Sequence, residues 1–172
     1  MILKDNKKIL LILRHAKSSW KHNDLPDHDR ELNKRGKNQG PKMGKLLKEL
    51  DLVPDYIISS TAKRAIDTSK SVAEFSGYSE KIDLDSSLYH QASTEQYTKV
   101  LSNVPDIYNK VLIVGHNPSL EDLIERLTNR IELMKTCSLA QIDIDIKSWK
   151  DIVNKKNMHI LVNIWHPTAK KK

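Results

Sequence analysis

The chain has 172 residues, the size of one ordinary domain, with 29 Lys+Arg against 22 Asp+Glu and a formal net charge of +7. Apolar residues make up 38% and recur in regular runs, which excludes disorder as the main state; 5 Gly and 6 Pro exclude a collagen-like or low-complexity fibre. The single cysteine, Cys137, excludes an internal disulfide framework.

In chain order, Lys8–Leu13 (KILLIL) reads as a fully buried strand. Its apolar run is far short of the roughly 20 residues that cross a bilayer. It is also too short for a signal peptide, and no small-residue cleavage site follows. A soluble, cytoplasmic protein with no membrane partner is expected. A polar stretch, Lys17–Glu31, comes next. Met43, Leu46, Leu47 and Leu50 then repeat at helical spacing, with Asn33 as the candidate cap; Pro41 predicts that this helix is kinked or begins later. Tyr56–Ile58 reads as a second strand, and a helix from about Ala62 to Phe75 stops near Gly77. A short strand is expected around Lys81–Leu84. Ser93 and Gln96 form a capping box for a helix to about Leu101.

Val111–Val114 is another buried strand, and Ser119 is expected to cap a helix through Leu127 with Glu121 and Asp122 in its first turn. From Ser138 the period becomes two, placing Ala140, Ile142, Ile144 and Ile146 on one face; His159–Trp165 is expected to pair with this strand as a hairpin. Strands alternating with helices predict a three-layer α/β fold: a mostly parallel sheet, helices on both faces, and an antiparallel C-terminal edge. One domain spans 1–172, with an ordered core at about 8–166 and a basic tail at 168–172.

The positive charge raises a nucleic-acid reading. Lysines are spread along the chain apart from Lys170–Lys172, aromatics are 5%, and no zinc-finger, RRM or helix-turn-helix signature is present. A lysine-rich solvated surface accounts for the charge, with some attraction for acidic partners and no nucleic-acid partner expected.

In parallel sheets ligands collect at the carboxyl ends of the strands. Those ends carry Arg14-His15-Ala16-Lys17-Ser18, Ser60-Thr61-Ala62-Lys63-Arg64, and Gly115-His116-Asn117-Pro118. Each piece alone has an ordinary explanation: a structural Arg-His pair, a surface helix arginine, a histidine in a turn. Their joint position does not. Two guanidinium groups suit a tetrahedral dianion. A neutral imidazole attacks phosphorus near pH 7 without a base, and a second can donate to the equatorial oxygens. No metal-ligand spacing appears. The set points to metal-independent phosphoryl transfer through histidine, with no cofactor.

These residues resemble the histidine phosphatase superfamily, whose fold is phosphoglycerate mutase-like, and most of all its SixA-like phosphohistidine phosphatase branch. The likeness rests on Leu13-Arg14-His15-Ala16, on Lys17-Ser18-Ser19-Trp20, on Asp29 to Gly36, on Ser60 to Ala65 with Thr61 in place of the common Pro, and on Val114 to Pro118. It runs from about Leu10 to Leu127. It implies that His15 is the transiently phosphorylated nucleophile, that Arg14 and Arg64 clamp the phosphoryl oxygens, and that His116 completes the pocket as a donor. Lys17, Ser18 and Asn117, beside these motifs, are candidate substrate contacts.

Phosphomonoesterases and mutases of the superfamily carry an acid ahead of the second histidine; the corresponding Ser87–Ala92 has no carboxylate. Tyr89 and His90 are the candidate proton donors there, although a labile P–N bond hardly requires one. Only about fifty residues separate Arg64 from His116, leaving little for a lid. The expected function is hydrolysis of phosphohistidine on an acidic protein domain, releasing inorganic phosphate. The alternatives are a small-molecule phosphomonoesterase and a non-catalytic phosphate-binding module. His22, His28, His159 and His166 are expected at the surface or in loops, Asp29–Arg30 as an internal salt bridge, Trp20 at the pocket border, and Trp149 and Trp165 in packing.

Overall fold

Successive residues of a strand point to opposite faces, so a strand that is apolar throughout must be covered on both sides. Strand β1 (Lys8–Arg14) does this: Leu10 and Ile12 join one buried cluster, Leu11 and Leu13 the other. All four are fully buried, each contributing about 1.5–3 kcal/mol, which places β1 in the middle of the sheet. The computed structural model describes residues 7–167; the basic tail expected at 168–172 lies outside the described residues.

After β1 come α1 (Lys34–Glu49), β2 (Tyr56–Ser60), α2 (Lys63–Ser76), β3 (Ile82–Asp85), α3 (Thr94–Ser102), β4 (Lys110–Gly115), α4 (Ser119–Thr128), β5 (Leu139–Ile144) and β6 (Ile160–Trp165). The six strands form one sheet in the order β3-β2-β4-β1-β5-β6. The first four positions run parallel; β5 pairs antiparallel with β1, and β6 antiparallel with β5. Helices α1 and α2 cover the face of Leu11 and Leu13, with Met43, Leu47 and Val72 beneath them. Helices α3 and α4 cover the other face through residues such as Tyr97, Leu101 and Leu123. The expected three-layer α/β architecture with an antiparallel C-terminal edge is what forms.

Two local expectations are corrected. Helix α1 does not begin late: the Asn33 side chain accepts from the Gly36 N–H, and the helix runs from Lys34 through Pro41. The cap contributes about 1 kcal/mol against the roughly 3 kcal/mol that an internal proline costs, so the rest comes from packing: Gly40 and Gly44 seat α1 directly on Ser71, Val72 and Phe75 of α2. Ser119 does not cap α4. The cap position is Pro118, which follows a cis Asn117–Pro118 peptide bond and makes no side-chain cap; main-chain bonds from Leu120 to His116 O and from Asp122 to Pro118 O close the first turn. Elsewhere the capping box of Ser93 and Gln96 is present, and Gly77 ends α2 at φ +85°.

Candidate active site

The parallel register brings three strand ends level. Arg14 is the register partner of Gly115, and Ser59 that of Val114. The next residues along, His15, His116 and the start of α2, therefore share one end of the sheet. The His15 N–H donates to the Gly115 carbonyl (3.1 Å). The two imidazoles lie with ring centroids 5.1 Å apart, and His15, His116 and Arg64 are each under 9% exposed.

His15 is oriented by its own backbone. Its Nδ1–H donates to the Ala16 carbonyl at 2.8 Å, so the ring's lone pair is on Nε2, the nitrogen chemically able to attack an electrophile. The Ala16 N–H donates to Thr68 Oγ1 (2.9 Å), whose hydroxyl donates to the Arg64 carbonyl (2.6 Å). Thr68 thus ties the loop of His15 to the helix that carries Arg64. Further along, the Lys17 N–H donates to Gln39, and the Asn33 N–H donates to the Lys17 carbonyl. A Cβ at Gly36 would overlap that carbonyl, so glycine there lets α1 seat directly beneath the loop.

His116 is set by Ser60. The Ser60 hydroxyl accepts from the Ala62 N–H (3.3 Å) and lies 2.8 Å from His116 Nε2. When the hydroxyl donates to Nε2, the ring hydrogen is on Nδ1, a buried atom with no partner in the protein. Behind it, the Tyr97 hydroxyl accepts from the His116 N–H and donates to the Leu88 carbonyl; a Cβ at Gly115 would overlap that hydroxyl.

Both arginines are gripped at one end. Arg14 Nη1 donates to the Met134 carbonyl (2.8 Å); Arg64 Nη1 and Nη2 donate to the main-chain carbonyl and carboxylate of Asp27 (2.7 and 3.1 Å). The Nε of each is buried without a partner. With His116 Nδ1 and with Arg30 Nε, whose charge also acts on His15, these unmatched atoms gather on the residues about the ring; Arg126 Nε on α4 is unmatched too. Buried donors are rarely left unmatched, and a tetrahedral anion would supply acceptors to those beside His15.

Both histidines are held neutral. Burial is the main cause, pushing His15 down to about 4 and His116 to about 3; the Ala16 carbonyl opposes the shift at His15, and the neighbouring arginines add to it. In the unfolded chain each titrates near 6.5. Between those values the unfolded chain binds protons that the folded one refuses, so stability falls as pH drops through about 6.5 to 4. The urea midpoint is expected to be lower at pH 5 than at pH 7, with a smaller drop in His116→Gln. Equal midpoints at both pH values would contradict neutral, buried rings.

The remaining sequence candidates occupy other positions. Ser18 accepts from Arg30 Nη2 and is buried. Lys17 is half-buried. Asn117 donates to Glu121 (2.7 Å) and to the Met134 carbonyl (2.9 Å), leaving only an acceptor unpartnered, the wrong polarity for an anion. Tyr89 lies 5.9 Å ring to ring from His116, and its hydroxyl donates to Asp27 (2.8 Å); His90 is exposed at φ +45°. Arg30 does not pair with Asp29 as expected. It pairs with Asp27 (3.5 Å) and lies under the Trp20 ring, while Asp29 meets His28. Nor are all the other histidines bland: His159 is buried, and His28 stands edge-on to Tyr89 and bonds Thr61 at the pocket border.

Asp27 and Tyr97 carry no signal of these roles in the sequence, and Thr68 only its position one helical turn after Arg64; Ser60 lies inside the strand-end motif, but its contact with His116 does not show there. A groove of about 410 Å³ along β3, lined by Tyr56, Asp83 and Asn103 among others, shares no residue with the cluster. Among the described residues no three His, Cys, Asp or Glu side chains are grouped to hold a metal ion, and no helix is long and apolar enough to cross a membrane.

The family model of the histidine phosphatase superfamily (branch 1) matches residues 10–136, the stretch that carries every residue of this cluster. The chain belongs to that superfamily. An uncharacterized chloroplastic protein of Arabidopsis thaliana is 34% identical over 151 residues, 83% of this chain and 69% of its own. A 2,3-bisphosphoglycerate-dependent phosphoglycerate mutase of Streptomyces avermitilis is 37% identical over 67 residues, only 26% of its length. Among solved structures, one assigned to phosphohistidine phosphatase SixA of Nakamurella multipartitia superposes with a TM-score of 0.80 at 21% identity, covering 95% of this chain and 98% of its own. The protein histidine phosphatase SixA complexed with tungstate superposes at 0.77 and 18%, covering 92% and 97%. At such identities these superpositions establish the superfamily's phosphoglycerate mutase-like fold. The superfamily, in turn, supports phosphatase activity.

Proposed function

We propose that the protein is a metal-independent phosphohistidine phosphatase acting on phosphorylated protein domains. The observation that carries this reading is the cluster itself: His15 Nε2 unprotonated, with buried donors of Arg14, Arg64 and His116 unmatched around it. In the first step Nε2 attacks phosphorus, the bond to the substrate's imidazole nitrogen breaks, and phospho-His15 forms. Arg14, Arg64 and the His116 Nδ1–H stabilise the equatorial oxygens as charge spreads over them. Water then displaces Nε2 from the opposite side and releases inorganic phosphate.

The choice of a P–N substrate is supported by the degree of structural likeness. The chain superposes on the SixA structures at TM-scores of 0.80 and 0.77, above the 0.68 and 0.67 of a mycobacterial glucosyl-3-phosphoglycerate phosphatase and an Escherichia coli structure assigned to α-ribazole-5'-P phosphatase, both of which it also covers nearly end to end. Nothing in the 61–74-residue mutase matches carries over the rest of those proteins. A net charge of +7 favours approach of an acidic partner.

A phosphate-ester substrate is the second reading, favoured by one observation: the Asp27 carboxylate on Arg64. A panel decides between them. Phosphoramidate and a phosphohistidine-bearing protein domain are expected to turn over at least tenfold faster, in kcat/KM, than alkyl phosphates, with activity unchanged by EDTA. A preference for alkyl phosphates would replace this reading with the second; loss of activity in EDTA would remove the metal-independent mechanism.

A further inference from the structure

The carboxylate that sequence inspection found missing between Ser87 and Ala92 is brought to that segment from another part of the chain. Asp27 lies in the short 3-10 turn Asp27–Asp29, within the loop that follows β1. Its Oδ2 accepts from Arg64 Nη2 (3.1 Å) and from the Tyr89 hydroxyl (2.8 Å); its Oδ1 lies 3.5 Å from Arg30 Nη1. The Asp27 side chain is 47% exposed, whereas Arg64 beneath it is 8% exposed. The carboxylate therefore sits at the mouth of the site, on the arginine that clamps the phosphoryl group, with one oxygen less engaged than the other.

The other candidates for proton handling are engaged elsewhere. Glu121 Oε1 accepts from Asn117 and from the Met134 N–H. Tyr89 already donates its proton to Asp27, and both burial and that carboxylate hold the proton more tightly than usual. His116 is buried against Ser60.

We propose that Asp27 is an acid–base residue of this site, giving a proton to the departing atom in the first step and taking one from the attacking water in the second. The inference rests on the covalent His15 route proposed above. In the first step the Nε2 lone pair forms the N–P bond. The bond from phosphorus to the leaving nitrogen or oxygen breaks with its electron pair going to that atom, which receives the Asp27 proton. In the second step the water oxygen bonds to phosphorus. The P–Nε2 bond breaks with its pair returning to Nε2, and the water's proton goes to Asp27, which ends as it began the first step. The sum is substrate plus water giving the protonated leaving group and phosphate.

The groups facing Asp27 permit both states. They are Arg64 from α2, Arg30 from its own loop, Tyr89 from the segment before α3, and His116 from the end of β4. Burial alone would raise the carboxyl's pKa; Tyr89, Arg64 and Arg30 outweigh it and keep the free enzyme's Asp27 ionised. A phosphoryl dianion binding to Arg64 adds like charge beside the carboxylate and competes for its main partner, both of which favour the protonated form. A monoanionic substrate brings the proton with it.

The test is the leaving-group dependence of Asp27→Asn. Asparagine keeps an oxygen that can accept from Arg64 and Tyr89, so the brace survives while the transferable proton does not. Phenyl phosphate, whose leaving oxygen needs a proton, is expected to lose about 10²–10³-fold in kcat/KM, and p-nitrophenyl phosphate, whose leaving group departs as an anion, less than about tenfold. The ratio between the two substrates does not depend on how much of the variant folds. Asp27→Glu is expected to recover part of that ratio. An equal fall on both substrates would mean that Asp27 only braces Arg64, and no fall or a gain would mean that it merely competes with substrate; either overturns the proposal. A wild-type enzyme that prefers alkyl phosphates would instead overturn the phosphohistidine reading and leave the Asp27 ratio standing.

Discussion

Replacing His15 by Ala is expected to lower turnover on any phosphoryl substrate by at least about 10⁴-fold, some 5.5 kcal/mol of transition-state stabilisation. The size follows from the position of the ring. Nε2 carries the lone pair because Nδ1–H is committed to the Ala16 carbonyl, and the neighbouring ring cannot substitute for it. His116 has its Nε2 engaged by the Ser60 hydroxyl. Removing the His15 imidazole leaves a pocket that still binds an anion and has no atom to receive phosphorus. The check is twofold: steady-state turnover, and labelling of the protein with ³²P under alkaline quench, which preserves acid-labile phosphohistidine. Wild type is expected to label and His15→Ala to remain blank. A labelled His15→Ala enzyme that keeps a tenth of its activity would move the nucleophile elsewhere.

Arg64→Ala ranks second, with an expected loss of about 10²–10³-fold in kcat/KM, or about 2.7–4 kcal/mol. Arg64 is buried at the start of α2 and makes no exit to solvent. Its terminal nitrogens are held by Asp27, while Nε is unmatched. Truncation removes a pre-oriented donor edge and also leaves the Asp27 carboxylate near the pocket without its arginine, so the effect exceeds the loss of one hydrogen bond. Binding of inorganic phosphate or vanadate should weaken along with catalysis. Arg64→Lys should recover only a small part, because an ammonium restores charge without the planar fork. If Arg64→Ala stays within tenfold of wild type in both binding and kcat/KM, Arg64 is not a clamp.

Both predictions concern residues that could be found in the sequence, and the reason is topological. Parallel strands deliver their carboxyl ends to one side, so any residue directly after a strand such as Leu10–Leu13 or Val111–Val114 is placed by the sheet alone. Arg14, His15 and His116 needed nothing more. Arg64 needed one addition, the helix start three residues beyond Ser60. Hydrophobic periodicity was equally sufficient for β5, where alternate burial of Ala140, Ile142 and Ile144 follows the pattern of two.

Asp27 shows where such reading stops. It lies in a polar loop with no apolar period, and nothing in the spacing from Asp27 to Arg64 or Tyr89 announces a contact across 37 and 62 residues. The pairing of Arg30 with Asp27 instead of the adjacent Asp29 has the same origin: residues next to each other along an irregular turn need not face each other. Composition and pattern determined the α/β sheet, its order of elements and the histidines and arginines at its carboxyl end, because hydrophobic burial and strand direction act through local sequence. Tertiary structure alone decided which loop carboxylate would rest on Arg64, which ring nitrogen of each histidine would carry its proton, and which donors would be left for an anion. Those outcomes depend on contacts between segments far apart in the chain, which become defined only when the layers pack.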